Sequence, residues 1–128
     1  MDSPFLDWGA IPERTVVPGY RARFAHTERM TFALWNVDAG AMLPAHAHPH
    51  EQVVQVRQGA FELTIESETV VLRPDSIAVI APNRTHSGRA LTDCRILDVF
   101  SPVREDYRDS SLASVLAVAL DSSQDVDR

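Results

Sequence analysis

Three of the chain's five histidines stand in one short run, His46-Ala47-His48-Pro49-His50, and Glu51 and Gln52 follow directly. Imidazole nitrogen suits divalent transition metals such as zinc, nickel, copper, iron and cobalt. Residues at i and i+2 on a strand face the same way, so His46 and His48 can grip one ion together. The same spacing predicts that His50 and Gln52 share that face, unless Pro49 breaks the strand and turns His50 away. A third imidazole must come from a neighbouring strand, and His86 is the residue placed to supply it. Gln52 adds a neutral amide oxygen. A lone histidine in a polar stretch is usually just solvated. A His-x-His pair with a distant third histidine, all at strand–loop junctions, is usually a metal site.

The elements that must position these side chains are short strands. Phe61, Leu63 and Ile65 alternate with Glu62, Thr64 and Glu66 in a period of two. Met30 to Val37, Val53 to Gln58, Thr69 to Leu72 and Cys94 to Phe100 are rich in strand formers. Tyr20 to His26 alternates more loosely. Ile77 to Ala81 is a continuous apolar run, as expected of a strand buried on both faces. Turn signals separate them at Asp38-Ala39-Gly40, Gly59, Arg73-Pro74-Asp75-Ser76 and Pro82-Asn83-Arg84. The pattern predicts eight or nine strands in an antiparallel sandwich or barrel. Residues 1–20, punctuated by Pro4, Pro12 and Pro18, read as an extended arm with at most an edge strand. Ser110 to Leu120 has helical spacing, and the polar residues 121–128 read as a disordered tail.

With 128 residues the chain has the size of one domain. A net charge of −6 argues against nucleic acid or an anionic membrane surface as partner, since both need a basic field. The single cysteine, Cys94, allows no intrachain disulfide and fits a reducing compartment. The first residues lack a basic region and do not read as a secretory signal. No apolar run approaches the ~20 residues that span a bilayer. A cytoplasmic location is expected.

The histidine stretch resembles the first motif of the cupin superfamily. Gly40, His46, His48, Gln52 and Gly59 fall at every expected spacing of that motif. The second cupin motif falls on Asp75, Ala81, Pro82, Asn83 and His86, with spacing intact but its glycines and first proline replaced. Asn and Asp tolerate left-handed turn geometry better than other residues with a side chain, so those turns can survive. The resemblance implies an all-β, single-domain cupin: a double-stranded β-helix, or jelly-roll-like barrel, over residues 21–108. The arm precedes it, and a short C-terminal helix and tail over 109–128 follow. It also implies a metal held by His46, His48, Gln52 and His86. The ion would be nickel, zinc, iron, manganese or cobalt. The usual acid position holds Gln52, while Glu51 has opposite parity and is expected to face outward. Three imidazoles and an amide leave a divalent ion its full charge, which favours Lewis-acid chemistry over oxygen activation. That preference weakens if Glu51 is the ligand instead.

The run from His46 to Gln52, together with Asp98-Val99-Phe100-Ser101-Pro102-Val103-Arg104-Glu105-Asp106-Tyr107, is similar to the KdgF-type cupins. Those small proteins of pectin and alginate breakdown convert cyclic 4,5-unsaturated monouronates to linear keto sugars. The resemblance implies a catalytic role for Asp98 and places Phe100 and Arg104 at family motif positions. The residues themselves are compatible with this. Asp98 interrupts an apolar strand, which costs free energy unless the carboxylate is paired or used. It can be a structural aspartate or a proton shuttle. Phe100 can wall the pocket or simply pack. Arg104 can fork onto a uronate carboxylate, or pair with Glu105, Asp106 or Asp109.

The expected protein is therefore a metal-dependent isomerase or ring-opening enzyme on a small anionic sugar, homodimeric by resemblance. Two alternatives remain open at this point. One is another cupin enzyme, such as an Fe(II) dioxygenase, and the other is a sensor that binds a small molecule without turning it over.

Overall fold

The period-two alternation of the sequence folds, among the described residues, as ten antiparallel strands rather than the eight or nine expected. The computed structural model describes residues 3–108. A single 3-10 turn, Trp8–Ala10, precedes β1 (Arg14–Val17), β2 (Tyr20–His26), β3 (Thr31–Val37), β4 (Met42–His46) and β5 (Glu51–Gln58). Then come β6 (Phe61–Ile65), β7 (Glu68–Leu72), β8 (Ile77–Ile80), β9 (His86–Ala90), β10 (Cys94–Ser101) and the helical turn α1 (Glu105–Arg108). The order β1-β2-β3-β10-β5-β8 forms one sheet and β4-β9-β6-β7 the other. The expected 110–120 helix and the tail lie outside the described residues.

The two sheets pack through Tyr20, Phe24, Trp35, Val54, Val56, Phe61, Leu63, Ile80, Ile96 and Phe100. Phe100, Ile80 and Val56 are the largest fully buried apolar side chains, each stabilising the fold by about 1.5–3 kcal/mol. Gly88 on β9 lies beneath the ring of Phe61, where a Cβ would collide with Cζ and Cε2. That glycine lets Phe61 lie flat across the sheet.

Two local readings are corrected. Ile77–Ile80 is an edge strand, not one buried on both faces. Ile77 and Val79 are exposed, and only Ile80 is fully buried. Their apolar character belongs to the outer face of the larger sheet. There Ala25, Phe32, Val99, Val53 and Val79 stand in register across five strands. Nor do His46, His48, His50 and Gln52 share one strand. β4 ends at His46 and β5 begins at Glu51, so the histidine run crosses from one sheet to the other. Same-face spacing is replaced by convergence of two sheets and the loop between them.

Candidate active site

Each of the three clustered histidines is placed by a different element. β4 pairs with β9, a register irregularity intervenes after Leu43, and His46 then stands directly opposite His86. Their ring centroids are 4.2 Å apart. His48 lies in the β4–β5 connection, held there by the Asn83 backbone N–H donating to its carbonyl at 2.8 Å. Asn83 has φ +65°, the left-handed conformation expected where asparagine stands in for a motif glycine. Gln52 opens the inner row of β5 and is buried, whereas Glu51 is exposed as expected.

The hydrogen bonds fix the tautomers. A carbonyl can only accept, so the Nδ1–H groups of His46, His48 and His86 must donate to the carbonyls of Pro44, His50 and Arg84. The distances are 2.8, 3.1 and 2.9 Å. All three Nε2 atoms are then left as lone pairs, the form in which a ring nitrogen held through its other nitrogen binds a metal. His48 Nε2 lies 3.0 Å from Gln52 Oε1. An ion bound by both would satisfy these two acceptors. His86 Nε2 is buried with no partner at all.

These three histidines bring ligand atoms within 4.8 Å of one another, two of the side chains buried and His46 half-buried. Burial lowers their pKa values, assisted by neighbouring imidazoles and Arg104: His46 to about 4, His48 to about 3, and His86 downward. They are neutral at pH 7 and ready to coordinate. The donor set therefore fits a divalent transition metal with Gln52 as a fourth, oxygen ligand. His50 is not among the clustered ligands, although its ring lies 5.5 Å from that of His48.

The imidazoles open on a cavity of about 80 Å³ running into the barrel. Its walls include Tyr20, Trp35, Phe61, Ile96, Asp98 and Phe100. Asp98 shares the inner face of β10 with Ile96 and Phe100. Burial pushes its carboxyl up to about 7. Gln52 and Trp35 stand beside it as donors and draw the value back down, without reaching hydrogen-bond geometry. Arg104 is buried, with its guanidinium 4.8 Å from the Phe100 centroid and 4.2 Å from that of Tyr107. Asp106 accepts from its Nε at 2.9 Å and its Nη2 at 2.6 Å. Arg104 thus lines the cavity while its fork is paired with Asp106, the partner the structure selects among the acids beside it.

Every residue singled out in sequence for the site, His46, His48, Gln52, His86, Asp98, Phe100 and Arg104, lines this one cavity. Trp35 and Tyr107 line it as well, and Asp106 anchors Arg104. Nothing in the sequence of its strand marks the Trp35 indole N–H as unpaired. Asp106 was one of three possible partners, and only the fold selects it.

A family model described as cupin domain matches residues 33–100. The pectin degradation protein KdgF of Dickeya dadantii is 34% identical over 70 residues, covering 53% of this chain and 64% of that protein. A solved KdgF structure from Halomonas sp. is similar with a TM-score of 0.77 and 32% identity, covering 82% of this chain and 98% of that one. An RmlC-like cupin from Shewanella frigidimarina superposes with a TM-score of 0.78 at 24% identity, over 83% of this chain and 96% of that one, a likeness of fold alone.

Proposed function

The chain belongs to the cupin domain family and is KdgF-like within it, and on that premise we propose that it opens the ring of a 4,5-unsaturated monouronate to give a linear keto sugar. The observation that carries the reading is the buried Asp98, with a pKa raised to about 7, on the same cavity as three converging imidazole lone pairs.

The reaction is an isomerisation that needs no oxidant or reductant. A proton leaves the C1 hydroxyl, the bond between C1 and the ring oxygen breaks, and C1 becomes an aldehyde. The electron pair passes to the ring oxygen, leaving an enol at C5. Protonation at C4 then gives the C5 ketone. A divalent ion on His46, His48, His86 and Gln52 supplies Lewis-acid stabilisation of charge on sugar oxygens when bound. Asp98 holds or moves the proton, because a group titrating near neutrality is suited to both directions of transfer. Phe100 walls the reacting ring from solvent. Arg104 has donors left over after Asp106 takes two, and these meet the uronate carboxylate.

The expected homodimer has the in-register apolar row of the larger sheet's outer face to use. A Val99→Glu exchange at its centre should then yield monomers by light scattering.

The test of function is incubation of metal-loaded protein with 4,5-unsaturated galacturonate, following loss of the ring form by NMR. Acceleration over the spontaneous rate supports the reading. A rate equal to the spontaneous one, with metal bound, overturns it.

A further inference from the structure

The inner wall of the cavity holds two buried polar atoms of opposite sense that lack a hydrogen bond. The Nε1–H of Trp35 is a donor and Oδ1 of Asp98 is an acceptor; the indole stands beside the carboxyl, but both atoms are buried and neither reaches hydrogen-bond geometry. Their side chains are more than nine-tenths buried, at 7% and 8% exposure, and both line the cavity. In the β3–β10 ladder Trp35 pairs with Ile96, and Asp98 pairs with Ala33. The two residues are therefore diagonal neighbours on one inner face, a separation that long side chains span.

An unpaired buried donor or acceptor destabilises the fold. Folds keep such groups where a ligand completes them. The indole cannot relieve itself elsewhere, because its ring is wedged edge-on against Tyr20, Phe24 and Tyr107 at centroid distances of 6.0, 5.8 and 6.3 Å. Val16, Val17, Val37 and Ile96, which also line the cavity, offer side chains with no polar atom.

We propose that Trp35 and Asp98 form a hydroxyl-binding pair that selects hydroxylated carboxylates, one ligand hydroxyl accepting from Trp35 Nε1–H and donating to Asp98 Oδ1. A hydroxyl is the group that is donor and acceptor at once, so one oxygen satisfies both orphans. Trp35 is then a specificity-determining residue on the same inner face as Asp98. This rests on the preceding reading in taking the ligand to be a sugar acid, but it requires no turnover.

The test compares two six-carbon carboxylates, gluconate and hexanoate, that differ in hydroxylation. The zinc-loaded protein is titrated with each while the Trp35 indole N–H resonance is followed by NMR. Calorimetry is repeated on Trp35→Phe, which keeps an aromatic ring and removes the N–H. Gluconate should shift the indole resonance saturably and bind Trp35→Phe about tenfold more weakly. Hexanoate should bind both proteins alike and leave the resonance in place. An indole resonance that gluconate does not move overturns the proposal, as does absence of gluconate binding. Equal gluconate affinity in folded Trp35→Phe overturns it too. The resonance is read in the unaltered protein, so a variant that fails to fold does not remove the test. Loss of ring-opening activity with the gluconate result intact would instead refute the function alone.

Discussion

His46 and His86 face each other at one register position of the β4–β9 ladder, ring centroids 4.2 Å apart, and neither bonds to the other. Each is tied back by its Nδ1–H to a carbonyl two residues earlier in the chain, so both aim Nε2 at the same space. Replacing either with alanine should weaken metal binding by more than about 100-fold, because even second-layer losses reach that size. His50→Ala should retain metal at the wild-type ratio. Elemental analysis after dialysis decides, and full metal content in His86→Ala would show that the ligand set is wrong.

Gly88→Ala should destabilise the barrel by about 1–3 kcal/mol, since the added methyl collides with the Phe61 ring against a β-sheet backbone that cannot give way. Urea denaturation measures this. A variant as stable as the wild type would mean that Phe61 is free to move and does not form a fixed cavity wall.

Arg104→Lys keeps the charge but loses the fork onto Asp106 and the contact with Phe100 and Tyr107. A KM about tenfold higher is expected, together with a lower melting temperature. Asp106→Asn frees the fork for a ligand carboxylate, so it should lower stability without raising KM. If both variants lower stability and neither changes KM, Arg104 only braces the wall.

The pH dependence of the metal-free protein follows from two opposed groups. Asp98 keeps its proton in the folded state up to about 7, against 3.8 when unfolded. The folded chain binds more protons in that window, so this contribution to stability is whole below 3.8 and lost as pH rises through 7. His46 and His48 act the other way. They stay neutral when folded down to about 4 and about 3, so their contribution is present above 6.5 and lost on acidification. The difference between chelated wild type and Asp98→Asn isolates the carboxyl. The variant should gain on the wild type by up to about 4 kcal/mol between about pH 4 and about pH 8, read by urea denaturation. A gap that stays constant with pH would contradict a buried, proton-holding Asp98.

The strands were legible because period-two alternation is written locally, as Phe61 to Ile65 shows. The clustering of His46, His48 and His86 was legible because cupin spacing is sequential, and even the substitution at Asn83 kept the left-handed turn. What the sequence hid depends on which sheet a strand joins. Ile77 to Ile80 carries the composition of a strand buried on both faces, yet sits at an edge. His46 and Gln52 share parity, yet belong to different sheets. The unpaired Trp35 indole follows from what surrounds it across β2 and β10, which no local pattern encodes.

In the proposed reaction Asp98 moves the proton while the imidazoles and Gln52 hold the metal. The most direct measurement is the NMR rate of ring loss from 4,5-unsaturated galacturonate with wild type and Asp98→Asn at matched metal content. The rate should be about 10²- to 10⁴-fold lower in the variant, with metal binding unchanged. Equal rates in the two proteins would contradict it.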